Sequence, residues 1–147
     1  MDRIELIKEH LNREKEFLLK ALQAAKETRD SAPAATESHS DTTRSQYEKL
    51  VIALEEKVRS IDDFSSILPK NLESKKTGPI SLWSYVEISL NKNIIKLILV
   101  PEGMGGKELE GIKLISDNSP LGSLLIGKKL GEKFEFNEQR GKVLKIE

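Results

Sequence analysis

Thr77-Gly78-Pro79 is the point at which this chain changes character. Residues 1–77 contain no Gly, and their only prolines are Pro33 and Pro69; all nine Gly fall in residues 78–147. Glycine weakens helix interiors and serves turns, so the asymmetry predicts an α+β chain: a helical domain over 1–77, then a β-rich domain over 78–147.

Upstream of the boundary, Ile4, Ile7, Leu11, Leu18, Ala21 and Ala25 recur at three- and four-residue steps, with Glu14 interrupting the series and Phe17 and Leu22 widening it. A second stripe runs through Tyr47, Leu50, Val51, Leu54, Val58, Ile61, Phe64 and Leu68. Both spacings predict amphipathic helices with seams of the coiled-coil type. Between them, the small and polar run from Ser31 to Asp41 contains Pro33, which stops the first helix, and Ser40 or Asp41 can cap the second. The expected unit is an antiparallel helical hairpin whose tip lies near residues 30–41. A first helix of about 28 residues is roughly 42 Å long, so its far end is expected to project into solvent.

Downstream, Trp83 and Tyr85 through Leu90 read as a strand, as do Ile94 to Val100 and Gly111 to Ser116. Gly103-Met104-Gly105-Gly106 reads as a turn. Pro120 to Ile126 predicts a short apolar helix, with Ser119 as its N-cap, Pro120 in the first helical position and Gly127 ending it. Phe134 and Phe136 lie on one face of a fourth strand, and Arg140-Gly141 is expected to turn the chain into Val143 to Ile146. The expectation is a small antiparallel sheet carrying one helix.

Composition narrows the function. Twenty-four basic residues balance 24 acidic ones, so the chain carries no net charge with which to grip nucleic acid or anionic membrane non-specifically. The absence of Cys excludes disulfide scaffolds, thiolate zinc sites and cysteine nucleophiles. No apolar run approaches the roughly 20 residues that span a bilayer, and the charged start Met1-Asp2-Arg3-Ile4-Glu5 is unlike a signal peptide. A cytoplasmic protein is the expectation.

No catalytic constellation is legible. His10 and His39 are far apart in sequence, fit neither a metal nor a Ser-His-Asp pattern, and read as exposed histidines. Gly103-Met104-Gly105-Gly106 lacks the spacing and context of a dinucleotide loop. Trp83, Tyr85, Phe134 and Phe136 lack the interleaved basic residues of a base-stacking surface and read as core. The hairpin tip gathers Asp30, Glu37 and Asp41, with Glu27 a turn earlier. Glu37 and Asp41 have i, i+4 spacing, which would place two carboxylates on one face for a Mg²⁺ completed by a partner. On spacing alone the plainer reading is that acidic residues here suit the dipole at a helix start.

One segment is specific. Ser119-Pro120-Leu121-Gly122-Ser123-Leu124-Leu125-Ile126-Gly127-Lys128-Lys129-Leu130-Gly131-Glu132, preceded by Asn118, resembles the signature of the bacterial GreA/GreB transcript cleavage factors: Ser-Pro, a short apolar helix, Gly-Lys, then Gly and an acid before a strand. Gly141 in the last hairpin fits as well. Ala25 to Asp30 and Tyr47-Glu48-Lys49 resemble the two arms of the family's coiled coil, so the resemblance covers nearly the whole chain. It implies an N-terminal coiled-coil hairpin and a C-terminal domain of FKBP-like fold. It also implies RNA polymerase as the partner, with the hairpin in the polymerase secondary channel and nucleic acid met only through the polymerase. Asn118, Ser119, Pro120, Gly122, Gly127 and Lys128 are then the partner-binding motif. Asp41 and Glu37 are the tip metal-site candidates; the implied cofactor is not intrinsic but a Mg²⁺ shared with the polymerase, which performs the cleavage itself. The family tip has an Asp and, three residues on, a Glu; three residues after Asp41 stands Arg44. Weak transcript cleavage is the consequence expected. An FKBP-like prolyl isomerase or chaperone, and a structural hairpin adaptor, are the alternative readings.

Overall fold

The computed structural model describes residues 2–32, 42–70 and 78–147. Helix α1 spans Arg3–Ser31 and α2 spans Thr43–Ser66. Asp2 starts α1, its carboxylate accepting from the Ile4 and Glu5 N–H groups at 2.9 and 3.4 Å. Ala32 ends it in an extended conformation, as expected of a residue that precedes a proline. The capping position of α2 falls to Thr42, whose side chain makes no capping bond to the backbone. Ser40 and Asp41, expected to cap this helix, lie outside the described residues.

The helices pack as an antiparallel pair. Leu6, Ile7, Leu11, Leu18, Leu22 and Ala25 of α1 are buried, as are Val51, Leu54 and Ile61 of α2. The seam takes Leu22 in preference to Ala21, and of the adjacent pair Leu50 and Val51 it buries Val51 while Leu50 faces outward. Between Leu11 and Leu18 the seam becomes polar. His10 Nε2 lies 3.4 Å from Glu14, and Lys15 Nζ reaches across to Asp62 Oδ1 at 2.6 Å. His10 is thus half-buried beside a carboxylate and not the exposed histidine expected of it.

Two compact units divide the chain, Met1–Pro69 and Lys70–Glu147. The second is a six-stranded sheet in the order β3-β4-β2-β1-β6-β5. Its strands are β1 (Tyr85–Leu90), β2 (Asn93–Val100), β3 (Lys107–Leu109), β4 (Ile112–Ser116), β5 (Lys133–Phe136) and β6 (Gln139–Ile146). The short helix α3 spans Pro120–Leu125. Every neighbouring pair is antiparallel except β2 and β4, which run parallel. Strand β3, absent from the sequence reading, precedes β4 through the pair Glu110-Gly111.

Three hairpins close through two residues at positive φ: Asn91-Lys92, Glu110-Gly111 and Asn137-Glu138. This is the type I′ geometry whose twist suits paired strands. The β5–β6 turn is therefore at Asn137-Glu138, not at Arg140-Gly141. Gly141 lies within β6, where a Cβ would come 2.4 Å from the Phe134 ring. Trp83 precedes β1 at φ 71°, buried, with its N–H donated to the Leu99 carbonyl at 2.7 Å.

One face of the sheet and α3 share a core of Ile80, Val86, Ile88, Leu97, Leu99, Leu125, Phe134 and Val143, together with Leu90 and Ile146 at its margin. Phe134 and Phe136 both point to this face, as their alternation predicts.

Candidate functional site

The motif segment is built around the end of β4. Ser119 has the extended backbone of an N-cap, and its Oγ accepts from the Gly122 N–H at 3.0 Å while donating to the Ser116 carbonyl at 2.7 Å. Pro120 occupies the first helical position, where a missing N–H costs nothing. The Ser123 N–H donates to the Ser119 carbonyl at 2.8 Å. Asn118 is exposed beside this cap, with Ser116 Oγ hydrogen-bonded to its Oδ1.

Gly122 is buried against the same carbonyl. A Cβ there would lie 1.9 Å from Ser116 O, so α3 can seat on β4 only if this position has no side chain. The helix ends at Leu125. Ile126 then takes φ −54°, ψ 129°, Gly127 takes φ +86°, and the Lys128 N–H returns to the Leu125 carbonyl at 3.0 Å. Those values define a type II turn with glycine at its third residue. Gly127 is left-handed as expected, but in a turn after the helix and not as the helix cap itself.

Gly127 and Lys128 also bind the start of the unit. The Gly127 N–H donates to the Ile80 carbonyl, and the Ile80 N–H donates to the Lys128 carbonyl, both at 2.8 Å. Beyond them, Glu132 accepts from the Lys129 N–H at 2.8 Å, and Gly131 donates to the Val143 carbonyl at 2.9 Å. The motif thus splits. Ser119, Gly122 and Gly127 hold the backbone, Lys128 is half-buried, and Asn118 and Pro120 face solvent. Two residues that sequence reasoning missed complete the unit: Ser116, which carries the cap, and Ile80, which clamps the turn. Ile80 was signalled only as an apolar residue after Gly78-Pro79; Ser116 had no signal beyond ending a strand.

At the other candidate region, Glu37 and Asp41 lie outside the described residues. Around them, Asp30 accepts from Arg29 Nε at 2.9 Å, and this hydrogen bond holds its exposed carboxyl below the usual carboxylate range. Glu27 accepts from Gln23 at 3.2 Å, and Arg44 Nε lies 3.6 Å from Glu48. Mg²⁺ prefers several oxygen ligands without competing cations. The described carboxylates named at this end are each taken up by a neighbouring side chain, Asp30 and Glu48 by arginines and Glu27 by Gln23, and do not fit that ion. Among the described residues no group of three or more His, Asp or Glu is placed to hold a metal. Nor is any described helix long and apolar enough to cross a membrane.

No family model matches the chain, and no curated protein does. Its neighbours among solved structures are Gfh1 and GreA/GreB transcription factors. GreA factor homolog 1 (Gfh1) of Thermus thermophilus is 22% identical, with 95% of this chain and 93% of that one covered at a TM-score of 0.43. Gfh1 of Thermus aquaticus is 20% identical, with 97% and 94% covered at 0.42. The prokaryotic transcription elongation factor GreA/GreB from Nitrosomonas europaea is 22% identical, with 67% and 89% covered at 0.40.

Proposed function

We propose that this chain is a GreA/GreB-like transcription factor that binds RNA polymerase and inserts its helical hairpin into the secondary channel. The reading rests on the segment from Asn118 to Glu132. There the residues of the Gre signature are bound into one hydrogen-bonded unit through Ser119, Gly122 and Gly127, and Asn118 and Pro120 are left on the surface. A signature met by chance has no reason to place each of its small residues where a larger one would clash or strain. The hairpin supports the same reading, because its 29- and 24-residue helices are joined through the stretch containing Glu37 and Asp41.

The protein acts on this reading as a factor and not as an enzyme. Any RNA hydrolysis belongs to the polymerase, and the tip lends little to it. Arg29 occupies Asp30, and Arg44 stands where a second metal-binding carboxylate is expected. A cation in that place repels Mg²⁺.

The test is retention of RNA polymerase on the immobilised protein, followed by incubation with a backtracked elongation complex. Polymerase should bind the parent protein and be retained much less by a full-length variant with Asn118→Asp and Pro120→Glu. RNA cleavage should be slight, hardly reduced further by Asp41→Ala, and raised by Arg44→Glu. Failure to retain polymerase would overturn the reading. Strong cleavage abolished by Asp41→Ala would overturn the weak-tip part of it alone.

A further inference from the structure

On the face of the sheet turned away from the core it shares with α3, Ile98, Val100 and Leu114 are buried, but the part formed by β5, β6, β1 and the start of β2 carries a charge pattern that folding does not require. Ile88 and Val143 point into the core, and Phe134 packs over Gly141 on that same side. Strand alternation therefore sends Glu87, Ser89, Lys142 and Lys133 to the opposite face. Lys133 and Lys142 are direct cross-strand partners, and the same row continues through Ser89 to Ile94. The next row runs from Lys145 through Glu87 to Lys96.

Like charges set directly opposite one another destabilise a strand pair. Among the described residues, no carboxylate pairs with Lys96, Lys133 or Lys142. Two acids of this face are engaged elsewhere, Glu87 accepting from the Tyr85 hydroxyl at 3.0 Å and Glu147 pairing with Lys145 at 2.9 Å, while Glu135 stands opposite Arg140 and pairs with neither Lys133 nor Lys142. Apolar side chains stand among the lysines. Ile94 is 67% exposed, and Leu144 is 41% exposed at the irregularity where β6 slips against β1.

We propose that this lysine-bearing face docks an acidic protein segment that also carries aliphatic residues. Carboxylates of the partner would satisfy the unpaired ammonium groups, and its aliphatic side chains would cover Ile94 and Leu144. Apolar contact within a polar rim is the usual anatomy of a protein interface. A nucleic acid backbone would meet the lysines but leave Ile94 and Leu144 uncovered. Tyr85, the aromatic of this face, is half-buried with its hydroxyl committed to Glu87, so it is not a free platform for a base.

The experiment is fluorescence anisotropy of a labelled synthetic peptide of Glu and Leu, in amphipathic helical order, titrated with the full chain. Saturable binding that weakens with added salt is expected. Lys133→Glu with Lys142→Glu should weaken it by about fivefold or more, and so should Ile94→Asp, while Lys49→Glu on the hairpin leaves it unchanged. Lys142→Glu alone should raise the melting temperature, because it removes the opposed pair, even as it weakens binding. Absence of saturable binding, or equal binding by the double variant, would overturn the proposal. So would oligouridylate binding more tightly than the peptide with the same dependence on these variants. A lower melting temperature for Lys142→Glu would remove its premise.

Discussion

At Gly122 and at Gly127, an added methyl group would meet different obstacles. At Gly122 it would lie 1.9 Å from the Ser116 carbonyl oxygen, so the helix or the strand must move. At Gly127 it would meet nothing within 4 Å, and only the backbone at φ +86° resists it. Gly127→Ala should therefore cost about 1 kcal/mol, the usual penalty of a left-handed non-glycine residue. Gly122→Ala should cost about 3 kcal/mol, the upper range of overpacking. Urea denaturation of both variants checks the order, and equal losses would mean that the close approach at Ser116 relaxes freely. The cap at Ser119 and the proline after it were legible because their chemistry is local. The clamp at Ile80 was not, because nothing in a sequence tells which carbonyl some 47 positions away will meet a turn. Gly141 misled for a related reason. A glycine beside an arginine resembles a turn, whereas this one makes room for an aromatic ring on the next strand.

At the scale of the element, the hairpin owes its association to a few aliphatic layers and its pairing across the middle to a polar one. Leu18 and Leu22 stand one turn apart on the buried stripe, and Lys15 meets Asp62 just before them. The lysine and aspartate side chains are 37% and 53% exposed, so water screens their attraction. Lys15→Ala should cost less than about 1 kcal/mol, whereas Leu18→Ala should cost about 2–3 kcal/mol, because it leaves a gap in a thin seam. Thermal melts followed by circular dichroism would separate the two, and a larger loss for Lys15→Ala would show that the ion pair dominates. The helices were readable from their period. The choice of Leu22 over Ala21 was less so, because either fits a step of three or four. Strand β3 escaped notice because Lys107–Leu109 is too short to display alternation, and its place is set by pairing with β4.

At the scale of the whole molecule, two units with separate cores have separate reporters. Trp83 is the chain's single tryptophan and is buried in the sheet unit, whereas the helical signal comes overwhelmingly from α1 and α2. In a denaturant titration, ellipticity at the helical band and Trp83 fluorescence should follow different transitions, the helical one at lower denaturant. Coincident curves would mean that the two units unfold as one cooperative body. The clamp at Ile80 has a mechanical meaning in this setting. Among the described residues of the sheet unit, a pull on the chain from the Gly78 side first meets backbone bonds at Ile80, to Gly127 and Lys128. The next anchor is Trp83, tied to Leu99 in the middle of the sheet. Such a pull would peel the short Ile80 attachment and free the residues between it and Trp83 before any strand of the ladder was strained. Under such a load the two bonds at Ile80 would act as a fuse in series with the sheet, opening before the ladder bears the strain.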